Sequence, residues 1–181
     1  SNTAAMADHW LPTWPGSETA LFLAWAKMIL ERGLYDREFM EDWVNWEMWL
    51  DADHPDEPRT FERFIELLLD EYSEYTPEFA AEECRIPIEQ VIEAGEAVAN
   101  AGSRLCTHVW RAAAIGNLGG WQVARALHLL NVLTGSVGTE GGTSPNSWAK
   151  FKPELFDDPP DPDGWNDLHF PPEYTLSHYE M

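Results

Sequence analysis

Positive charge is the scarcest feature of this 181-residue chain: 11 Lys and Arg stand against 32 Asp and Glu, a formal net charge of −21. Phosphate backbones are held by clustered Lys and Arg, so this balance excludes a general nucleic-acid binder. It argues equally against docking on anionic membrane surfaces. Cysteine is nearly absent: Cys84 and Cys106, without CxxC spacing, are too few for a disulfide scaffold. Long apolar runs are missing too. The longest, Ala20 to Ala26, is interrupted by Lys27, far short of the roughly 18 residues that span a bilayer. The N-terminus lacks the basic-then-apolar pattern of a signal peptide. The six His show neither HxxxH nor HExxH spacing, so no zinc site is indicated. The acidic run 157–167 fails the calcium-loop register, because Gly164 at position six puts Pro159 at one and Phe170 at twelve. No GxSxG, GxGxxG or Walker loop is present, and neither cysteine has an obvious base partner.

What is present describes a folded chain. Hydrophobic residues make up 44% and aromatic residues 13%, which excludes disorder for most of its length. Ten Trp point to large buried or interfacial aromatic surfaces. The length suits one medium domain with a tail. Residues Ala7 to Trp14 read as extended, closed by a Pro15-Gly16 turn. Ser17 is expected to cap a helix that runs to about Arg32 and stops at Gly33. It is apolar on nearly every side, so it should pack between layers. A second helix is expected from Asp36, carrying Phe39, Trp43 and Trp46 on one face; 51–59 reads as a polar loop. Thr60 and Thr76-Pro77 are start signals for two more helices. A further helix is expected from Pro87 to about Ala101, striped by Ile88, Val91, Ile92 and Val98 and ended by Gly102.

Leu105 to Trp110 is the clearest strand pattern, followed by a Gly-rich turn at 115–120 and a helix from Trp121 to Leu133 ended by Gly135. Extended segments followed by helices predict an α/β class: a Rossmann-like layered domain, helix-rich, over 1–150. A helical insertion is expected at about 36–85. The Pro-, Asp- and aromatic-rich stretch 151–181 reads as an irregular C-terminal tail.

Three stretches carry candidate chemistry. Pro15-Gly16-Ser17-Glu18 opens a helix, where free N–H groups and the dipole attract phosphate or other anions. There Ser17 and Glu18 can bond ribose hydroxyls; an ordinary capped helix start is the plainer reading. The turn around Gly116, Gly119 and Gly120 sits where α/β folds bind ligands, although tight helix packing explains it as well. The run Gly135 to Gly142 either brings backbone close to a ligand or forms a flexible surface loop. Arg111, after the strand, is either an anion clamp or half of a structural ion pair.

Taken in series, SNTAAMADHWLPTWPGSETAL (1–21), GLYDREF (33–39), YTPEFAAEECRIPIEQVIEAG (75–95) and ARALHLLNVLTGSVGTEGGTSPN (124–146) resemble the molybdopterin oxidoreductase family. That family includes dimethyl sulfoxide reductase, nitrate reductases and formate dehydrogenases. The order and spacing resemble the family across positions 1–146. The resemblance implies a segment of a longer catalytic subunit. It implies an α/β domain gripping one guanine dinucleotide arm of a bis-molybdopterin guanine dinucleotide cofactor with molybdenum or tungsten. Ser1, Asn2, Thr3, Gly16, Ser17 and Glu18 match positions that contact that arm. Glu18 stands where the family usually has Asp. Gly116-Asn117 stands where many members carry a Gln-His pair, and Trp110-Arg111 precedes it, a departure that suggests an unusual pocket.

The resemblance further implies that the metal ligand and any iron–sulfur cluster lie upstream, so the isolated chain should be inactive. The implied partners are the remaining domains of the same polypeptide and an iron–sulfur electron-transfer subunit. The compartment stays open between cytoplasm and periplasm. Two other readings are a cofactor-free scaffold in an electron-transfer complex, and an acidic helical interaction module that docks through the Trp-rich helices 39–49 and 61–72. Separated from its neighbours, the segment is expected to self-associate through its apolar helix 20–30 and its aromatic tail.

Overall fold

A computed structural model describes residues 2–109 and 120–144, and the regular structure there is helical. The helices are α1 (Asn2–Met6), α2 (Glu18–Glu31), α3 (Arg37–Trp43), α4 (Trp46–Asp53), α5 (Phe61–Glu71), α6 (Pro77–Cys84), α7 (Ile88–Ala101) and α8 (Gly120–Leu133). A 3-10 turn over Gly102–Arg104 follows α7. Helix α2 is the centre, packing along α8 and α6 and touching α7 and α5. Its apolar surround is the cause: Leu21, Ala24, Trp25, Ala26, Met28, Ile29 and Leu30 are all buried. Much of its apolar surface is thus covered by helices of the same chain.

Local signals set most boundaries. Thr60 and Thr76 accept the Arg63 and Phe79 amides, each at 3.2 Å, and Asp36 accepts the Phe39 amide at 2.9 Å. Each side-chain oxygen thus satisfies an amide that has no partner inside its helix. After α2, Gly33 sits at φ +62, where its amide bonds to Leu30 and that of Leu34 to Ile29. Gly135 repeats the arrangement after α8 at φ +63, a left-handed exit that Gly adopts without a Cβ clash.

Four expectations need correction. The helix from Asp36 does not carry Trp43 and Trp46 on one face, because Val44 turns to an extended conformation (ψ 134) and ends α3. Trp46 then opens α4 and packs edge-on to Phe61 at 5.7 Å, while Trp43 is 78% exposed. The stretch 51–59 is helical up to Asp53. The stripe of α7 is deeper than its large residues: Val91, Ala94, Gly95 and Ala99 are buried, with Ile88, Ile92 and Val98 at the margin. Small side chains let α7 approach α2 closely. Finally, 105–109 forms no strand. The Thr107 amide donates to the Thr143 hydroxyl at 3.0 Å rather than to a neighbouring strand. Among the described residues the one β contact is a single parallel bridge between Val137 and Thr143.

Arginines fasten α3, α4 and α5. Arg37 reaches Glu41 and Glu62, Arg59 reaches Glu47 and Asp51, and Arg63 reaches Glu57 and Glu66. Hydrogen bonds from Arg63 hold the Glu57 carboxyl below its usual range, and those from Arg37 do the same for Glu62. A carboxyl whose folded pKa is depressed stabilises the fold above its unfolded pKa, and that contribution disappears as pH falls through the folded value. Arg63→Gln should therefore lower the thermal midpoint at pH 7, and the gap to the parent chain should close below about pH 4. Scanning calorimetry from pH 7 to 3 tests this; a gap that stays constant excludes the ion pair as its source.

Candidate functional site

The turn before α2 is bolted to α6 rather than free. The Trp14 amide donates to the Cys84 carbonyl at 3.0 Å, and the Cys84 thiol donates to the Ser17 carbonyl at 3.4 Å. Cys84 is wholly buried, and burial pushes its thiol up, which keeps it protonated and unreactive. Arg85, left-handed at φ +56, lies with its guanidinium 4.1 Å from the Trp14 ring centroid. A non-glycine residue there costs on the order of 1 kcal/mol, offset in part by the cation–π contact.

Within this turn Ser17 does not cap the helix. Its hydroxyl donates to the Trp14 carbonyl at 2.7 Å, and its backbone is already helical (φ −98, ψ −1). Glu18 instead folds back, and its carboxylate accepts the Gly16 amide at 3.0 Å. The place an incoming anion would take at that amide is thus filled by the chain's own carboxylate, and the negative charge of Glu18 repels a second one. The turn is suited to hydrogen-bond donors such as hydroxyl or amino groups. Gly16, at φ +90, has no atom within 4 Å of where a Cβ would stand, so the backbone lies open to a ligand.

Asn2 and Thr3 lie in α1. Ser1, Trp110, Arg111, Gly116 and Asn117, and with them most of the 115–120 turn, fall outside the described residues. The glycine-rich run after α8 closes on its own chain. A Cβ on Gly135 would stand 2.5 Å from Asp36 Oδ2, and one on Gly142 2.4 Å from the Ser136 carbonyl. The Gly138 amide donates to the Thr143 carbonyl at 2.9 Å, and the Thr143 amide donates to the Ser136 carbonyl at 2.8 Å.

Beneath the loop lies a buried polar group that sequence reasoning missed. Asn131 is fully buried, and its amide nitrogen lies 3.0 Å from the Leu105 carbonyl, 2.8 Å from Ser136 Oγ and 3.0 Å from Thr143 Oγ1. Its oxygen accepts the Thr107 hydroxyl. An Asn on the otherwise apolar inner side of α8 was the available signal.

No family profile matches the chain. Individual curated proteins do. The chain is 32% identical over 143 residues to the probable dimethyl sulfoxide reductase chain YnfF of Escherichia coli, covering 78% of this chain and 17% of that protein. It is 28% identical over 144 residues to the periplasmic nitrate reductase of Desulfovibrio desulfuricans, covering 80% of this chain and 18% of that one. To the arsenate respiratory reductase molybdopterin-containing subunit ArrA of Chrysiogenes arsenatis it is 29% identical over 147 residues, covering 78% and 17%. The chain thus spans less than a fifth of the length of the relatives it matches. Reductases of three different substrates converge on the same stretch, and the chain belongs to the molybdopterin oxidoreductase family, matching one segment of its much longer members.

Proposed function

We propose that this chain is part of a molybdenum or tungsten oxidoreductase and positions one nucleotide arm of a bis-molybdopterin guanine dinucleotide cofactor. The reading is carried by the similarity to molybdopterin-containing and related reductases over about four-fifths of the chain. The open backbone at Gly16 beside the Glu18 carboxylate supports it, because hydroxyl and amino donors are what a nucleoside offers. Glu18 would accept from ribose or base donors, Gly16 would allow close approach, and Asn2 and Thr3 are assigned to the same arm by the resemblance alone. When bound, the group supplies two-electron redox chemistry at its metal; the protein supplies binding and orientation. In this reading the helices described above form one layer of a Rossmann-like α/β domain. Other domains of the parent polypeptide complete it, and an iron–sulfur cluster or subunit passes the electrons.

The experiment is metal analysis and nucleotide release on the full-length parent, purified without oxygen. Molybdenum or tungsten together with guanine nucleotide is the expected result. A folded parent with neither overturns the reading in favour of a scaffold. In the loaded parent, Glu18→Gln should lower the guanine nucleotide retained after gel filtration several-fold, the loss of one charge-assisted hydrogen bond, while the melting temperature of the cofactor-free protein changes little. Unchanged retention removes Glu18 from the site.

A further inference from the structure

A groove of about 540 Å³ opens between the N-terminal turns of α2 and one side of α8 along most of its length, with Asn45 before α4 and Tyr72 at the end of α5 completing its wall. Its volume falls in the range of small-molecule sites, about 300–1,000 Å³. The polar side chains at its wall are Thr19, Asn45, Tyr72, Gln122, Arg125 and His128. No side-chain hydrogen bond joins any of the six to another described residue. Leu23, Ala126, Leu129 and Val132 make the apolar part. None of the described residues assigned to the cofactor arm lines it, so it stands apart from the reading above.

Charge is what distinguishes this groove. In a chain with 32 Asp and Glu, none of its described lining residues is acidic. Five other cations, Lys27, Arg32, Arg37, Arg59 and Arg63, are each paired with a carboxylate. Arg125 is not. Its guanidinium lies 4.9 Å from the Trp121 ring centroid, a contact that steadies the side chain while leaving its N–H groups unused. Around it stand donors: a phenol, two amides and a hydroxyl. Burial holds the Tyr72 phenol up, so it keeps its proton, and the charge of Glu71 near it is opposed by that of Arg125.

We propose that this groove binds a small organic anion, a carboxylate or phosphate head set on Arg125 with an apolar body lying against Leu23 and Leu129. The head satisfies donors that the chain leaves unpaired, and the body removes the apolar floor from water. A neutral ligand of the same shape forgoes the charge-assisted bonds, which are roughly twice as strong as neutral ones.

The test uses 4-(trifluoromethyl)benzoate as probe and the 181-residue chain, followed by fluorine NMR with amide shift mapping. Saturation at a single site is expected, with shifts on the N-terminal turns of α2 and along α8. Arg125→Gln should weaken binding about tenfold, and 4-(trifluoromethyl)benzamide should bind the parent chain about tenfold more weakly than the acid. Gln122→Glu, an exposed change that puts a carboxylate beside the head, should weaken it as well. Displacement of the probe by inorganic phosphate assigns a phosphate head, and failure to displace it a carboxylate head. Absence of saturation at millimolar probe overturns the proposal. So does equal binding by Arg125→Gln or by the benzamide, or shifts centred away from α2 and α8. Circular dichroism of each variant separates lost binding from lost fold.

Discussion

Asn131→Ala lowers the stability of the helical unit by about 3 kcal/mol, because buried groups that lose a partner keep their desolvation penalty, about 1–3 kcal/mol each. The Leu105 carbonyl depends on the Asn131 amide at 3.0 Å, with only a long contact to Thr143 Oγ1 at 3.5 Å in reserve. The half-buried Thr107 hydroxyl loses its acceptor as well, while the Asn131 position itself is fully buried. Four segments lose their common tie: α8, the 105–107 stretch, Ser136 and Thr143. Denaturant unfolding of the 181-residue chain measures the change; a loss under about 0.5 kcal/mol, the size of an ordinary surface substitution, would refute the account.

Asn131→Asp sharpens the test by keeping shape and reversing chemistry. It turns the donor that faces the Leu105 carbonyl into an acceptor, and burial raises the pKa of the new carboxyl above its unfolded value. A raised folded pKa means that stability is present below the unfolded pKa and lost as pH rises through the folded one. The variant should therefore be nearest the parent chain in acid and furthest at neutral pH. A pH-independent deficit would point to shape rather than hydrogen bonding.

Gly95→Ala should cost about 2 kcal/mol, in the range for overpacked cores, although alanine is the better helix former by about 1 kcal/mol. A Cβ at position 95 would stand 2.6 Å from Trp25 Cδ1 and 2.9 Å from its Nε1. The indole cannot retreat. Its N–H donates to the Val91 carbonyl at 2.9 Å, one turn earlier on the same helix, and the side chain is buried between α2 and α7. Gly95 is what lets it cross. In a Trp25→Ala background, less stable overall, Gly95→Ala should become neutral or mildly stabilising, since the propensity term then acts alone. The double-mutant cycle, read by thermal or denaturant unfolding, thus expects a change of sign. Equal costs in both backgrounds would exclude the indole as the cause.

What sequence determined here is what depends on neighbours three to five residues away. The caps at Asp36, Thr60 and Thr76, the left-handed exits at Gly33 and Gly135, and the place of α2 at the centre were all legible. A capping hydroxyl and its amide lie in one turn, and an all-apolar helix must be surrounded. The family, too, was legible, because it rests on residues in series rather than on contacts. Tertiary structure decided the rest. Glu18 rather than Ser17 serves the Gly16 amide because Ser17 is drawn to the Trp14 carbonyl in a turn anchored on Cys84, 67 residues from Ser17. The tie from Trp25 to Val91 spans 66 positions, and those from Asn131 to Thr107 and Leu105 span 24 and 26. The strand expected from Leu105 to Trp110 gave way over 105–109, where the Thr107 amide found a threonine hydroxyl 36 residues on. A backbone amide takes the best acceptor that packing brings to it, and no local pattern of side chains specifies a partner that far along the chain.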